Sequence, residues 1–167
     1  FDFSSNSTEF HNSRAENWKV TILDTGLNTM TGGRLARAEP FLCEEQDFCV
    51  TYGDGLSNVD IGRLIEFHRA HKKIATLTSV LPPGRFGALE MKQDMVAAFN
   101  EKPKGDGARV NGGFFVFNKE IFRFLKDDDT ILENSPLESL AALQQLMAYK
   151  HNGFWHPVDT LRDLNAM

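Results

Sequence analysis

Short apolar runs rich in β-branched and aromatic residues alternate along this chain with segments whose apolar residues recur at helical spacing. That alternation constrains the fold more than any other feature. Strands separated by helices assemble most readily into a mostly parallel sheet with helices packed against it, so the expected class is α/β. Residues 18–23 (Trp-Lys-Val-Thr-Ile-Leu) predict a buried strand ending at Asp24-Thr25-Gly26, and residues 48–52 a second, closed by Gly53-Asp54-Gly55. Residues 75–81, 96–99, 110–117 and 147–150 predict four more; Pro82-Pro83-Gly84 breaks the first of these, and a turn-rich Lys104-Gly105-Asp106-Gly107 precedes the third. Helices are expected at 33–38, stopped ahead of Pro40, at 58–71 with Ile61, Leu64, Ile65 and His68 on one face, at 119–125, and from Thr160 onward. Ser135-Pro136-Leu137-Glu138 reads as an N-cap, a proline at the first helical position and a capping-box glutamate, starting a helix that runs to about Leu146. Residues 1–10 alternate weakly, as a hairpin would.

With no internal repeat or low-complexity linker, the chain reads as a single unit, 1–167. A chain of 167 residues can bury about 70% of its unfolded surface, enough for a real core. With 41% hydrophobic and 25% charged residues, a disordered acidic tail, a collagen and a disulfide-knotted miniprotein are excluded. No apolar run approaches the roughly 20 residues that cross a bilayer; the densest stretch is Phe114-Phe115-Val116-Phe117. Lys and Arg number 18 against 23 Asp and Glu, and the net charge of −5 argues against a nucleic-acid binder. Cys43 and Cys49, the only cysteines, lack the close second pair of a zinc site and are expected as buried reduced thiols in a cytoplasmic protein. No basic segment precedes an apolar one at the start, so secretion has no support. The chain opens Phe1-Asp2-Phe3 without an initiator Met and ends Leu164-Asn165-Ala166-Met167 within a helix-like segment, so it reads as a piece of a longer protein.

Ligands of parallel sheets sit beyond the carboxyl ends of the strands. The loops after Leu23, Tyr52 and Lys150 are therefore where chemistry is expected. Gly53-Asp54-Gly55 is either a plain turn or a carboxylate flanked by two residues without side chains, with room for a phosphate and hydrated Mg²⁺. Asp159 either caps the last helix or meets Asp54 across the sheet as a second metal ligand. Glu101-Lys102-Pro103 is a solvated ion pair or a sugar-hydroxyl acceptor beside a phosphate-binding ammonium. Asn111-Gly112-Gly113 is a bulge or a place of close ligand approach. The run from Thr29 to Arg34 starts a helix or presents N–H groups and a guanidinium to an anion. His68 and His71 share a helix face with no third ligand near in sequence, which reads as packing rather than metal binding. No Walker loop and no dinucleotide-binding glycine fingerprint is present.

The order of these pieces carries more than any one of them. Asp-Thr-Gly at 24–26, Met-Thr-Gly-Gly-Arg-Leu at 30–35, Thr-Tyr-Gly-Asp-Gly at 51–55 and Pro-Pro-Gly-Arg-Phe-Gly-Ala-Leu at 82–89 come first. Glu-Lys-Pro at 101–103, Asn-Gly-Gly-Phe-Phe at 111–115 and Gly-Phe-Trp-His-Pro-Val-Asp-Thr-Leu-Arg-Asp at 153–163 follow. From about Trp18 onward the chain resembles the bacterial sugar-1-phosphate nucleotidylyltransferases, in their glucose-1-phosphate cytidylyltransferase branch. The resemblance implies a Rossmann-like nucleotidyltransferase fold and a Mg²⁺-dependent reaction of CTP with glucose 1-phosphate, giving CDP-glucose for cell-surface polysaccharides such as O-antigen. It implies Asp54 and Asp159 as the Mg²⁺ ligands, with Lys102 beside them as the third catalytic position. Thr29 and Arg34 match nucleotide contacts; Gly87, Glu101, Lys102, Asn111 and Gly112 match the sugar-phosphate side. A homo-oligomer that binds neither nucleic acid nor membrane is expected.

The family opens with a strand and a Gly-Gly-x-Gly-Thr-Arg loop around the triphosphate, followed by a lysine. Neither matches here, so the chain reads as the C-terminal portion of such an enzyme and is expected to be inactive alone. Two alternatives stand beside this reading: a non-catalytic truncated module that binds sugar phosphate or another protein, and a thymidylyl- or guanylyltransferase of the same family.

Overall fold

The structure is a computed structural model that describes residue 4 and residues 18–42, 44–82, 88–100 and 108–165. Four strands form the main sheet: β1 (Asp47–Thr51), β3 (Ala75–Val80), β6 (Val110–Asn118) and β7 (Leu146–Lys150), in the order β1-β6-β3-β7. Strands β1, β3 and β7 run the same way and β6 runs against them, so the sheet is mostly parallel in direction although only β3 and β7 pair in parallel. Two short antiparallel ribbons stand beside it. One joins β2 (Gly55–Ser57) to β8 (Trp155–Pro157), the other β4 (Ala88–Lys92) to β5 (Met95–Asn100).

Alternation along β6 explains why the sheet sits between two helical layers. Phe115 and Phe117 point to one face, where Phe48, Leu35, Ile121, Leu132, Leu137 and Leu140 complete the main core. That face is covered by α1 (Thr31–Arg37), α4 (Ser135–Ala142) and the 3-10 turn Lys119–Phe124. Fully burying a phenylalanine contributes about 1.5–3 kcal/mol, so this pair of rings accounts for much of the hold between sheet and helices. On the other face Thr76, Thr78 and Val80 are buried beneath α3 (Ile61–His71), which packs across β3, β6 and β7 through Leu64 and His68. A short α2 (Glu39–Leu42) and a terminal α5 (Leu161–Asn165) complete the described elements.

Several local expectations need correction. Residues 18–23 form no strand: Val20 and Ile22 are 73% and 77% exposed, and the described residues offer this β-prone run no pairing neighbour in a sheet. Pro40 lies inside α2, whose first turn does not need its missing N–H, and α1 starts two residues earlier than 33–38 implied. Asn134, not Ser135, is the N-cap of α4, and its side chain makes no capping bond; the helix ends at Ala142, where Gln144 at φ 55° turns the chain into β7. Residues 147–150 are not the last strand, since β8 follows. Cys49 carries a free, exposed thiol on β1 instead of a buried one. Cys43, the hairpin at 1–10 apart from residue 4, and the turn at 104–107 lie outside the described residues.

Candidate functional site

The shared direction of β1, β3 and β7 brings their carboxyl ends to one edge of the sheet, and the reversed β6 begins at that same edge. Tyr52 and the Gly53-Asp54 turn leave β1 there and enter β2. On the other side, β7 runs out through residues 151–154 into β8, which returns antiparallel onto β2, pairing Gly55 with Pro157 and Ser57 with Trp155. One rung further, the Val158 N–H donates to the Asp54 carbonyl at 2.7 Å. Asp159 is therefore the next residue beyond the partner of Asp54, although 105 positions separate the two in the chain (159 − 54). Both aspartates are exposed.

The capping role open to Asp159 falls to its neighbour. The Thr160 hydroxyl and N–H both donate to Asp163 Oδ2 at 2.8 Å, and the Asp163 N–H returns a bond to Thr160 Oγ1 at 3.3 Å. That reciprocal pair is a capping box, and it holds the Asp163 carboxyl below its ordinary range chiefly through the Thr160 hydroxyl. The Asp159 backbone N–H joins the same oxygen at 3.2 Å, so the cap is built without the Asp159 carboxylate. Two exposed carboxylates on adjoining backbone segments suit Mg²⁺, which takes one or two carboxylates and keeps several waters. Among the described residues no cluster of three or more His, Cys, Asp or Glu side chains forms a closed metal cage.

An open cleft of about 660 Å³ lies beside the turn, lined by Thr31, Thr51, Tyr52, Gly53, Asp54 and Glu133. Two smaller recesses, of about 300 and 290 Å³, are lined by residues around Glu39 and Arg123 and around Asp127 and Asn134, away from Asp54. Glu133 escaped the sequence reading. One of its carboxylate oxygens accepts the Tyr52 hydroxyl, and the other accepts Thr31 Oγ1 at 2.9 Å. The Tyr52 phenol is pushed well above its ordinary range, first by burial and then by that bond to Glu133. No short-range motif betrays this contact, because its partners come from the residue after β1, from α1 and from the segment before α4.

The bulge reading of Asn111-Gly112-Gly113 is the one observed. The β3–β6 register shifts between Leu77 and Ser79, Gly113 adopts φ +77°, and Asn111 Oδ1 accepts the Gly113 N–H at 3.0 Å. Gly112 is small for an internal reason: an added Cβ would lie 2.8 Å from Val80 Cγ1 and 3.1 Å from the Thr78 carbonyl oxygen. The Trp155 indole N–H donates to the Gly112 carbonyl at 2.8 Å, locking β8 against the bulge. Arg109 donates to the Ser79 and His151 carbonyls at 2.7 and 3.2 Å and to the Asn152 side chain, tying the ends of β3 and β7 together.

The start of α1 is not an anion cradle. The N–H groups of Met30, Gly32 and Gly33 donate to the carbonyls of Asp128 and Thr130, so this end is filled by the chain's own backbone. Arg37 pairs with Asp128 through both carboxylate oxygens, at 2.9 and 2.5 Å, and draws the Asp128 carboxyl below its ordinary range. Arg34 folds back onto Thr25 Oγ1 at 2.6 Å and the Leu27 carbonyl at 3.2 Å. Thr29 is only 6% exposed, its methyl against Gly33, and does not face the cleft. Gly87, Glu101 and Lys102 lie outside the described residues.

His68 and His71 are packed as expected. Lys73 N–H donates to His71 Nδ1 at 2.9 Å, which assigns the ring proton to Nε2, 2.7 Å from Thr76 Oγ1. The Thr76 hydroxyl is then the donor to His68 Nδ1 at 2.8 Å, and His68 Nε2 faces Asp47 Oδ1 at 3.5 Å. Burial lowers the pKa of both rings, so each is neutral in this relay.

Against known proteins, the sequence profile described as nucleotidyl transferase matches residues 2–163. Glucose-1-phosphate cytidylyltransferase of Salmonella typhimurium is 50% identical over 98% of this chain and 63% of its own. Mannose-1-phosphate guanylyltransferase catalytic subunit beta of Dictyostelium discoideum is 29% identical over 80% of this chain and 38% of its own. The crystal structure of HddC from Yersinia pseudotuberculosis superposes with a TM-score of 0.60 at 21% identity, over 84% of this chain and 61% of that one. The chain thus spans less than two thirds of the length of each.

Proposed function

This chain belongs to the nucleotidyl transferase family, and from that premise we propose that it forms the sugar-phosphate side and cation-binding turn of an enzyme making CDP-glucose and pyrophosphate from CTP and α-D-glucose 1-phosphate. The observation that carries the cytidylyl reading is the half-identity with the Salmonella cytidylyltransferase, far above the identity with the guanylyltransferase. The placement of the Asp54 turn, the β6 bulge and Asp159 at one sheet edge supports it. So does the cleft beside them.

The nucleophile in this reading is an oxygen of the sugar phosphate, attacking the α-phosphorus of CTP. The bond from that phosphorus to the bridging oxygen breaks, and pyrophosphate leaves with the electron pair. A phosphate oxygen is already ionised at neutral pH, so no general base is required, and catalysis consists of positioning and charge neutralisation. Mg²⁺, when bound by Asp54 and Asp159, would offset charge on the reacting phosphates. Lys102 neutralises the sugar phosphate, Glu101 accepts from a sugar hydroxyl, and Asn111 and Gly87 line the sugar side. Arg34 reaches the nucleotide on leaving Thr25 and Leu27. Thr29 and Gly112 act from behind, through packing. The dependence on CTP also fits a cytoplasmic enzyme, and among the described residues no helix is long and apolar enough to cross a membrane.

The test is Asp54→Asn in the full chain, followed by pyrophosphate release. Turnover should fall by roughly a hundredfold or more, as for loss of a group that holds charge at the transition state. Retention within a few-fold would remove Asp54 from the chemistry. Competition among CTP, dTTP and GTP decides the base. The 167 residues themselves hold no Gly-Gly-x-Gly-Thr-Arg segment and are expected to make no CDP-glucose alone; product from them would overturn that expectation.

A further inference from the structure

We propose that Tyr52 is a positioning residue that sets the Asp54 turn against the β6 bulge, with Glu133 as its anchor. The proposal rests on the reading of Asp54 as a cation ligand. Tyr52 is the last residue before Gly53-Asp54, and it is fixed at three points. Its backbone N–H donates to the Gly113 carbonyl at 3.2 Å, so the chain is tied to the bulge as it leaves β1. Its ring lies against Gly113, where an added Cβ would be 3.1 Å from Tyr52 Cδ2, and meets Phe115 edge-on at 5.6 Å between centroids. Its hydroxyl donates to Glu133.

Glu133 is itself held. Thr31 Oγ1 donates to its second oxygen at 2.9 Å and accepts the Leu132 N–H at 2.9 Å, so one hydroxyl fixes both the carboxylate and the backbone that carries it. With each oxygen holding one hydroxyl, Glu133 is a fixed anchor for the Tyr52 hydroxyl. Beyond Tyr52 the turn is open at Gly53, with no atom within 4 Å of where a Cβ would be, and is held again at the Asp54 carbonyl by the Val158 N–H. Tyr52, two residues ahead of Asp54, thus ties the β1 side of the turn to the Asn111–Gly113 bulge, as β8 ties its other side through Val158.

The experiment measures Mn²⁺ binding directly, by electron paramagnetic resonance, in the full chain. The proteins compared are the wild type, Tyr52→Phe, Glu133→Gln, the double variant and Asp54→Asn. The phenylalanine keeps the ring and its packing, and thermal melting verifies that each variant is folded. Tyr52→Phe and Glu133→Gln should each weaken Mn²⁺ binding by roughly tenfold, the equivalent of one charge-assisted hydrogen bond, and the double variant by no more than either alone. A change of less than twofold in Tyr52→Phe, with Asp54→Asn strongly impaired, overturns the positioning role and leaves the cation reading standing. Additive losses in the double variant also overturn it, since the two residues would then act separately. Unchanged binding in Asp54→Asn removes the cation reading and this inference together. A Glu133→Gln variant that unfolds leaves Tyr52→Phe as the deciding measurement.

Discussion

At the scale of single residues, small side chains matter here for what they allow to approach. Gly112 has β3 on one side and the Trp155 indole on the other, with Nε1 3.4 Å from where a Cβ would be. Gly112→Ala should therefore destabilise the fold by about 1–3 kcal/mol and loosen β8, read as a lower urea midpoint. The sequence reading left Gly112 open between a bulge and a ligand contact, because a glycine records only that something comes close. Asp159 was equally open. A carboxylate just ahead of a helix resembles a cap until Thr160 and Asp163 are seen to close that helix between themselves. The sequence contains this capping box, but a threonine followed three residues later by aspartate is a weak signal beside a preceding aspartate. The sequence also does not reveal the bond from Tyr52 to Glu133, which joins residues 81 positions apart in the chain.

At the scale of elements, strands buried on both faces of the sheet were legible, since β6 carries the apolar run Phe114-Phe115-Val116-Phe117 and β3 intersperses Thr and Ser among apolar residues over a β-prone stretch. The run at 18–23 has the same composition and is no strand, because a strand needs a partner as well as propensity. The end of α4 was placed too late for a related reason: Leu146 suits helix and strand periodicity alike, and pairing with Ala75 decides for the strand. Phe117, fully buried in the main core, is the joint of sheet and helices; Phe117→Ala should cost about 3–5 kcal/mol in denaturant unfolding. The relay beneath α3 makes a different prediction. Asp47, Arg69 and Lys73 surround the two histidines, yet burial dominates and lowers both pKa values from 6.5. The unfolded chain therefore takes up protons first as pH falls, so stability present above about pH 6.5 should decline below it and level off only beneath the folded values. Urea midpoints measured from pH 8 to pH 5 should show that slope, and His68→Gln should flatten it. A midpoint independent of pH would contradict the neutral relay.

At the scale of the whole molecule, one stretch of exposed apolar surface lies where the described chain gives no cover. Val20, Ile22 and Leu27 lie on one stretch, and Leu27 is 93% exposed. Surface of this kind favours association, so sedimentation of the 167-residue chain should show a concentration-dependent oligomer that Val20→Lys with Ile22→Lys reduces. The same sheet edge that gathers β1, β3, β6 and β7 also depends on the short ribbon between β2 and β8 to bring Asp159 back over the chain. That ribbon works as a ruler. Its register fixes Asp159 one step past the rung shared by Asp54 and Val158, and each step along an extended strand is about 3.3 Å. Metal–ligand distances tolerate only about 0.2 Å. A single residue gained or lost between Trp155 and Asp159 would thus move that carboxylate by one strand step relative to Asp54, and under the proposed cation reading Mn²⁺ binding should then fall while the main sheet stays folded.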